Sequence, residues 1–232
     1  MFDGKMKAVT FSYDDGVMQD ERVIRILDKY SLKGTFNLNS GLLGKEGSLD
    51  ICGKIVDHTR FRSEQLNNVY SGHEVAAHTV THVTLPPMEE TDIIYQVEDD
   101  RKCLSQLMGY EVCGMAYPNG GINNDDRVAE IIKNNTGIRY ARTITSTYSF
   151  DMPDNLYRYH PTVCNREWDK LWKLVEEFID LKADKPALLY IWGHSYEFDY
   201  ENSWEMFEDL CNTLGNRKDI YYGTNKEVFR CM

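Results

Sequence analysis

Residues 7–16, KAVTFSYDDG, decide how the chain is read. Val9, Phe11 and Tyr13 favour a strand, and the run stops at Asp14-Asp15-Gly16, a turn signal. Residues 19–30 then place Val23, Ile24, Leu27 and Tyr30 at helical spacing. This strand-then-helix unit recurs. Strands are expected at 34–39, 74–78, 112–117, 138–143, 187–192 and 220–222. Helices are expected at 91–108, 125–134, 167–181 and 203–214, with a final helical turn at 225–230. Such alternation implies parallel strands joined by crossovers. Neither G-x-G-x-x-G nor a P-loop is present, and Gly41-Leu42-Leu43-Gly44-Lys45 has the wrong spacing for either. The expected fold class is α/β, a distorted (β/α) barrel with about seven parallel strands and its site at their C-terminal ends. Composition is even and no repeat or linker interrupts it, so residues 1–232 read as a single domain.

The chain carries 37 acidic and 26 basic residues, a net charge of −11. So acidic a protein, with no basic run, is a poor partner for nucleic acid or an anionic membrane, whereas an uncharged sugar fits. The cysteines, Cys52, Cys103, Cys113, Cys164, Cys211 and Cys231, form no C-x-x-C pair. That argues against a zinc ribbon or thioredoxin-like site and fits free thiols. No stretch resembles a secretory signal or a membrane span, so a soluble cytoplasmic protein is expected. Oligomeric state is not legible.

The polar residues that end the strands carry the chemistry. His78 and His82 can share one metal ion only if the chain between them turns, since four residues of extended strand span about 13 Å. A helical turn is therefore expected there, although two unrelated histidines fit the same pattern. Asp14-Asp15 before Gly16 fits a turn or cap; alternatively the two carboxylates split, one to a metal and one to a water. Two imidazoles and one carboxylate leave open positions, the pattern of a catalytic metal. His194, after an apolar strand, is a candidate proton donor, and Arg142 a candidate partner for a carboxylate. Trp192 suits either a sugar face or the core. His73 reads as structural, and His58 and His160 as loop residues.

The order of these motifs resembles the polysaccharide deacetylase family, with the NodB-homology domain of carbohydrate esterase family 4. The resemblance runs from about Lys7 to Phe198. Thr10–Gly16 (TFSYDDG) resembles the first motif, His78–His82 (HTVTH) the second, Ala116–Gly120 (AYPNG) a variant of the third, and Tyr190–Phe198 (YIWGHSYEF) the last. It implies Asp14 as general base, Asp15, His78 and His82 as ligands of one divalent metal ion, and His194 as general acid. Zinc is the expected metal, with cobalt, manganese or nickel as alternatives. The implied reaction is removal of an N- or O-acetyl group from a carbohydrate. A backbone N–H near Asn119 is expected to hold the oxyanion, with Tyr117 and Trp192 beside the substrate. The third motif lacks the usual arginine, its place being taken by Ala116, so Arg142 is expected to steady the base. Trp168-Asp169 is the nearest match to the motif that orients the acid. The competing readings are a small-molecule amide or ureide hydrolase on the same fold and a noncatalytic carbohydrate-binding relative. A serine hydrolase is disfavoured, because Ser195 lacks a G-x-S-x-G elbow.

Overall fold

The structure is a computed structural model that describes residues 2–229. Its first strand, β1 (Lys7–Asp14), is buried along its whole length. Alternation explains how one strand serves two environments. Phe11 and Tyr13 pack among Phe36, Phe198 and Phe207, under the helices. Thr10 and Ser12 point the other way, where they meet Asn225 and Asn37. Asp14 continues this polar, inward-facing row and accepts from Asn37 at 2.8 Å. Gly16 closes the turn at φ +66°, where a Cβ would also sit 2.9 Å from Leu38.

The remaining units follow in order. α1 (Asp20–Lys29) leads to β2 (Gly34–Leu38). An antiparallel hairpin, β3 (Ser48–Ile51) and β4 (Lys54–Asp57), and a short α2 (Leu66–Val69) precede β5 (Glu74–Ala77). Next come α3 (Glu90–Ile94), α4 (Asp100–Met108) and β6 (Gly114–Ala116). They are followed by α5 (Asp126–Asn135), β7 (Tyr140–Arg142) and β8 (Val163–Cys164). The last third holds α6 (Trp168–Asp180), β9 (Ala187–Gly193), α7 (Glu197–Glu201), α8 (Trp204–Leu214), β10 (Ile220–Tyr222) and α9 (Asn225–Phe229).

The main sheet runs β7-β6-β5-β2-β1-β9-β8, with β10 beside the first half of β1, and every pairing in it is parallel. It curls into a half-barrel with its helices outside. Tyr159 bonds to β7 while Val163 pairs with β9, so the chain between them bridges the two edges. The expected α/β barrel is observed.

Several details differ from the sequence reading, the short helices α2 and α7 among them. The hairpin β3–β4 and the two-residue strand β8 were not foreseen, because neither carries a long apolar run. The helix expected over 91–108 is broken by a π-helical stretch, Tyr95–Asp99. The turn from His78 to His82 is not helical. Thr79 and His82 adopt φ of +65° and +57°, and the Val83 amide donates to the Thr79 hydroxyl. Of the cysteines, Cys52, Cys103, Cys113, Cys164 and Cys211 are free thiols; Cys231 lies outside the described residues, as does Arg230 at the end of the expected last helical turn.

Candidate active site

The C-terminal ends of β1, β5, β6, β7 and β9 converge on a cavity of about 580 Å³. Asp14, Asp15, His78, His82, Tyr117, Asn119, Trp192 and His194 all line it. Arg142 lies fully buried beneath them.

Asp15, His78 and His82 each offer a ligand atom, and these atoms lie within 4.8 Å of one another. Local hydrogen bonds aim them. His78 Nδ1 donates to the Ala116 carbonyl at 2.8 Å, which leaves Nε2 as the free acceptor. The Asp100 carboxylate, buried in α4, accepts from the backbone amides of both Ser40 and His78 and so ties two loops together. Burial holds the His78 and His82 rings below the usual imidazole range, His82 at about 4, so both are neutral donors. Burial opposes the charge on Asp15, but the His58 hydrogen bond and the surrounding histidines outweigh it and keep the carboxyl ionised. Asp15 Oδ1 is buried without a hydrogen-bond partner. An orphaned anionic oxygen beside two neutral imidazoles is the donor set that a divalent cation completes, so these residues fit a metal. Asp15, Thr79, His82 and Asn119, all around this point, have positive φ. Such conformations cost about 1–3 kcal/mol each and persist where surrounding structure dictates them.

Asp14 faces a different set of partners. Arg142 Nη2 donates to both of its carboxylate oxygens, and the guanidinium lies 4.5 Å from the centre of the Trp192 ring. Burial pushes the Asp14 carboxyl up, but Arg142 and the nearby histidines prevail and hold it below the ordinary range.

His194 Nδ1 lies 3.1 Å from Glu197 Oε1, and its backbone amide donates to Oε2 at 3.0 Å. Nε2 is thereby turned into the site, 4.0 Å from Asp14 Oδ2. Burial disfavours the charged ring, yet Glu197 overcomes it and pushes the pKa up to about 9. The carboxylate paired with His194 is therefore Glu197, three residues on, whereas Asp169 is exposed on α6 and Trp168 donates to Glu201. The neighbouring Ser195 hydroxyl donates to buried Asp20, fixing this turn to α1.

Tyr117 donates to the Tyr157 carbonyl, and the Asn119 amide to the Thr84 hydroxyl at 3.0 Å. His58, read from the sequence as a loop residue, is one of the site residues whose role sequence reasoning missed. Its Nε2 is 3.1 Å from Asp15 Oδ2, but it sits in the unforeseen hairpin segment and no local pattern marks it. His73 bridges the Gly34 amide and Asp28, a structural role, and His160 meets the Thr143 hydroxyl. Among the described residues no helix is long and apolar enough to cross a membrane.

Fold and site define a parallel α/β half-barrel with a candidate metal centre and a carboxylate–imidazole pair at the C-terminal rim. Residues 3–141, more than half of the chain, match the family model of the polysaccharide deacetylases, and the chain belongs to that family. Solved structures share the fold. A family 4 acetyl xylan esterase from Clostridium thermocellum, with a cobalt ion, is 18% identical at a TM-score of 0.61, over 97% of this chain and 91% of that one. The peptidoglycan deacetylase PdaC from Bacillus subtilis is 15% identical at 0.55, over 97% and 91%. The Streptococcus pyogenes deacetylase PplD, in complex with acetate, is 20% identical at 0.51, and the match covers 64% of this chain and 61% of that protein. Among curated proteins none matches.

Proposed function

We propose that the protein is a metal-dependent deacetylase acting on a carbohydrate. The observation that carries this reading is the separation of two carboxylates on adjacent residues, Asp15 toward two imidazoles and Asp14 toward Arg142. Asp15, His78 and His82 would hold one divalent ion, zinc being the first expectation and the cobalt of the Clostridium thermocellum esterase a second. When bound there, such an ion supplies the Lewis acidity that polarises an acetyl carbonyl and acidifies water.

The chain's own residues supply the proton transfers. Asp14, kept ionised by Arg142, takes the proton of the attacking water. The backbone near Asn119, on the cavity wall, offers an N–H to the developing oxyanion. His194 gives its Nε2 proton to the departing nitrogen or oxygen as the bond to the acetyl carbon breaks, and acetate and the free sugar group leave. Glu197 holds Nδ1, so the tautomer and the ring orientation are set before substrate arrives. Tyr117 and Trp192 flank the sugar.

Acetate release from a panel of N-acetyl sugars, acetylated xylan and small amides tests the reading. Sugar substrates should be turned over, and Asp14→Asn should abolish turnover while bound metal is retained. Release from small amides alone would replace it with the amide-hydrolase alternative.

A further inference from the structure

The hairpin that sequence reasoning missed walls the cavity, and its pairing extends beyond its two strands. Leu49 lies opposite Val56 in the antiparallel register. The same register continues below them, where the His58 amide donates to the Gly47 carbonyl at 2.8 Å and the Arg60 amide to the Lys45 carbonyl at 3.0 Å. Lys45 therefore stands directly across from Arg60, and opposed residues of a ladder share a face with Cβ atoms about 4.5–5.5 Å apart. That face is the one toward the site, since Lys45, Leu49, His58 and Arg60 all line the cavity. The hairpin is pinned in this position. Lys54 Nζ donates to the Asp199 carbonyl at 2.9 Å, and Gln19 bridges the Asp57 carbonyl and the Asp199 carboxylate.

Two cations opposed on a ladder repel each other, and among the described residues the one carboxylate within ion-pair reach of either is Asp15, 3.7 Å from Arg60 and shared with the His58 and His82 rings. Lys45 is exposed and has no acidic partner among the described residues. Arg60 is 9% exposed, yet its five donors find only two long contacts. Nη1 meets His58 Nδ1 at 3.3 Å, Nη2 stands 3.7 Å from Asp15 Oδ1, and Nε is buried with no partner. A guanidinium so buried and so poorly satisfied is costly unless a ligand completes it. In a chain of net charge −11, the pair is also a local reversal of sign.

We propose that the substrate is an acetylated sugar bearing an anionic group, a carboxylate or a phosphate, and that Lys45 and Arg60 bind that group. The contact of Arg60 with Asp15 places the anion within one sugar ring of the acetyl. This inference rests on the deacetylase reading of the same cavity and narrows its substrate class.

Products bind without turnover, so the test titrates the metal-loaded protein with glucosamine, glucosamine 1-phosphate and muramic acid by calorimetry. At least one anionic sugar should bind tenfold or more tightly than glucosamine, and which one names the group. Lys45→Ala, an exposed change, should cut that preference at least fivefold, and Arg60→Gln should do the same if it folds. Equal affinities, no binding of either anionic sugar, or a preference intact in Lys45→Ala would overturn the proposal. Acetate release from the acetylated counterparts separates the two readings. Anion-selective binding without acetate release sinks only the deacetylase reading, whereas release without selectivity sinks only the anionic substrate.

Discussion

Arg142 and Asp14 stand 128 residues apart in the chain and meet in the barrel interior, where one guanidinium nitrogen serves both carboxylate oxygens. Neither residue is more than 2% exposed. Removing one partner of such a pair leaves an uncompensated buried charge, a loss of about 3–5 kcal/mol. Arg142→Met should lower stability by that order in urea unfolding. In whatever fraction stays folded, burial is left to act on Asp14 alone and its carboxyl rises. The acidic limb of the rate profile should move to higher pH, and an unmoved limb would separate Arg142 from the base.

Glu197 is what lifts His194 to about 9 against the effect of burial. An acid must be protonated to act, so activity is expected to persist through neutrality and fall as pH rises through that value. Glu197→Gln removes the charge and leaves burial, so the alkaline limb should shift downward. A pH profile of kcat/KM for both proteins checks the direction.

His78→Ala should reduce bound metal to well below one equivalent by elemental analysis, since it removes one of three donors. Full retention would take His78 out of the ligand set.

His58→Ala frees the Asp15 carboxylate to rotate. Partners of ligating groups are worth about 10–100-fold in metal affinity. Competition with a chelator should show a loss in that range with the fold intact by circular dichroism.

Asp20 is buried, accepts from Tyr70 and Ser195, and is raised by burial to about 7. Its unfolded counterpart ionises near 3.9. Between those values the unfolded chain sheds a proton that the folded one keeps, so this group erodes stability as pH rises from about 4 to 7. Asp20→Asn has no such proton to keep. Relative to the parent it should gain stability across that window in urea titrations, and a difference independent of pH would refute the assignment.

Local pattern was enough to place the strands that end in Asp14, His78, Arg142 and His194, because burial on both faces leaves long β-prone runs and amphipathic helices repeat every 3.6 residues. It also supplied the residue types at the rim. It could not foresee the hairpin, whose strands are short and mostly exposed. With the hairpin went His58, Arg60 and Lys45, which acquire meaning only once the segment folds over the site.

The amino-acid order by itself determined the alternation of elements and the motifs that end them, since both follow from neighbours within one turn or one strand. The pairing of Asp14 with Arg142 was expected from the altered third motif, and curling of the sheet brings the two together. Only the folded barrel decided that Asp15 meets His58 and Arg60, through docking of a hairpin. Those contacts depend on closing long loops, and no short-range periodicity encodes them.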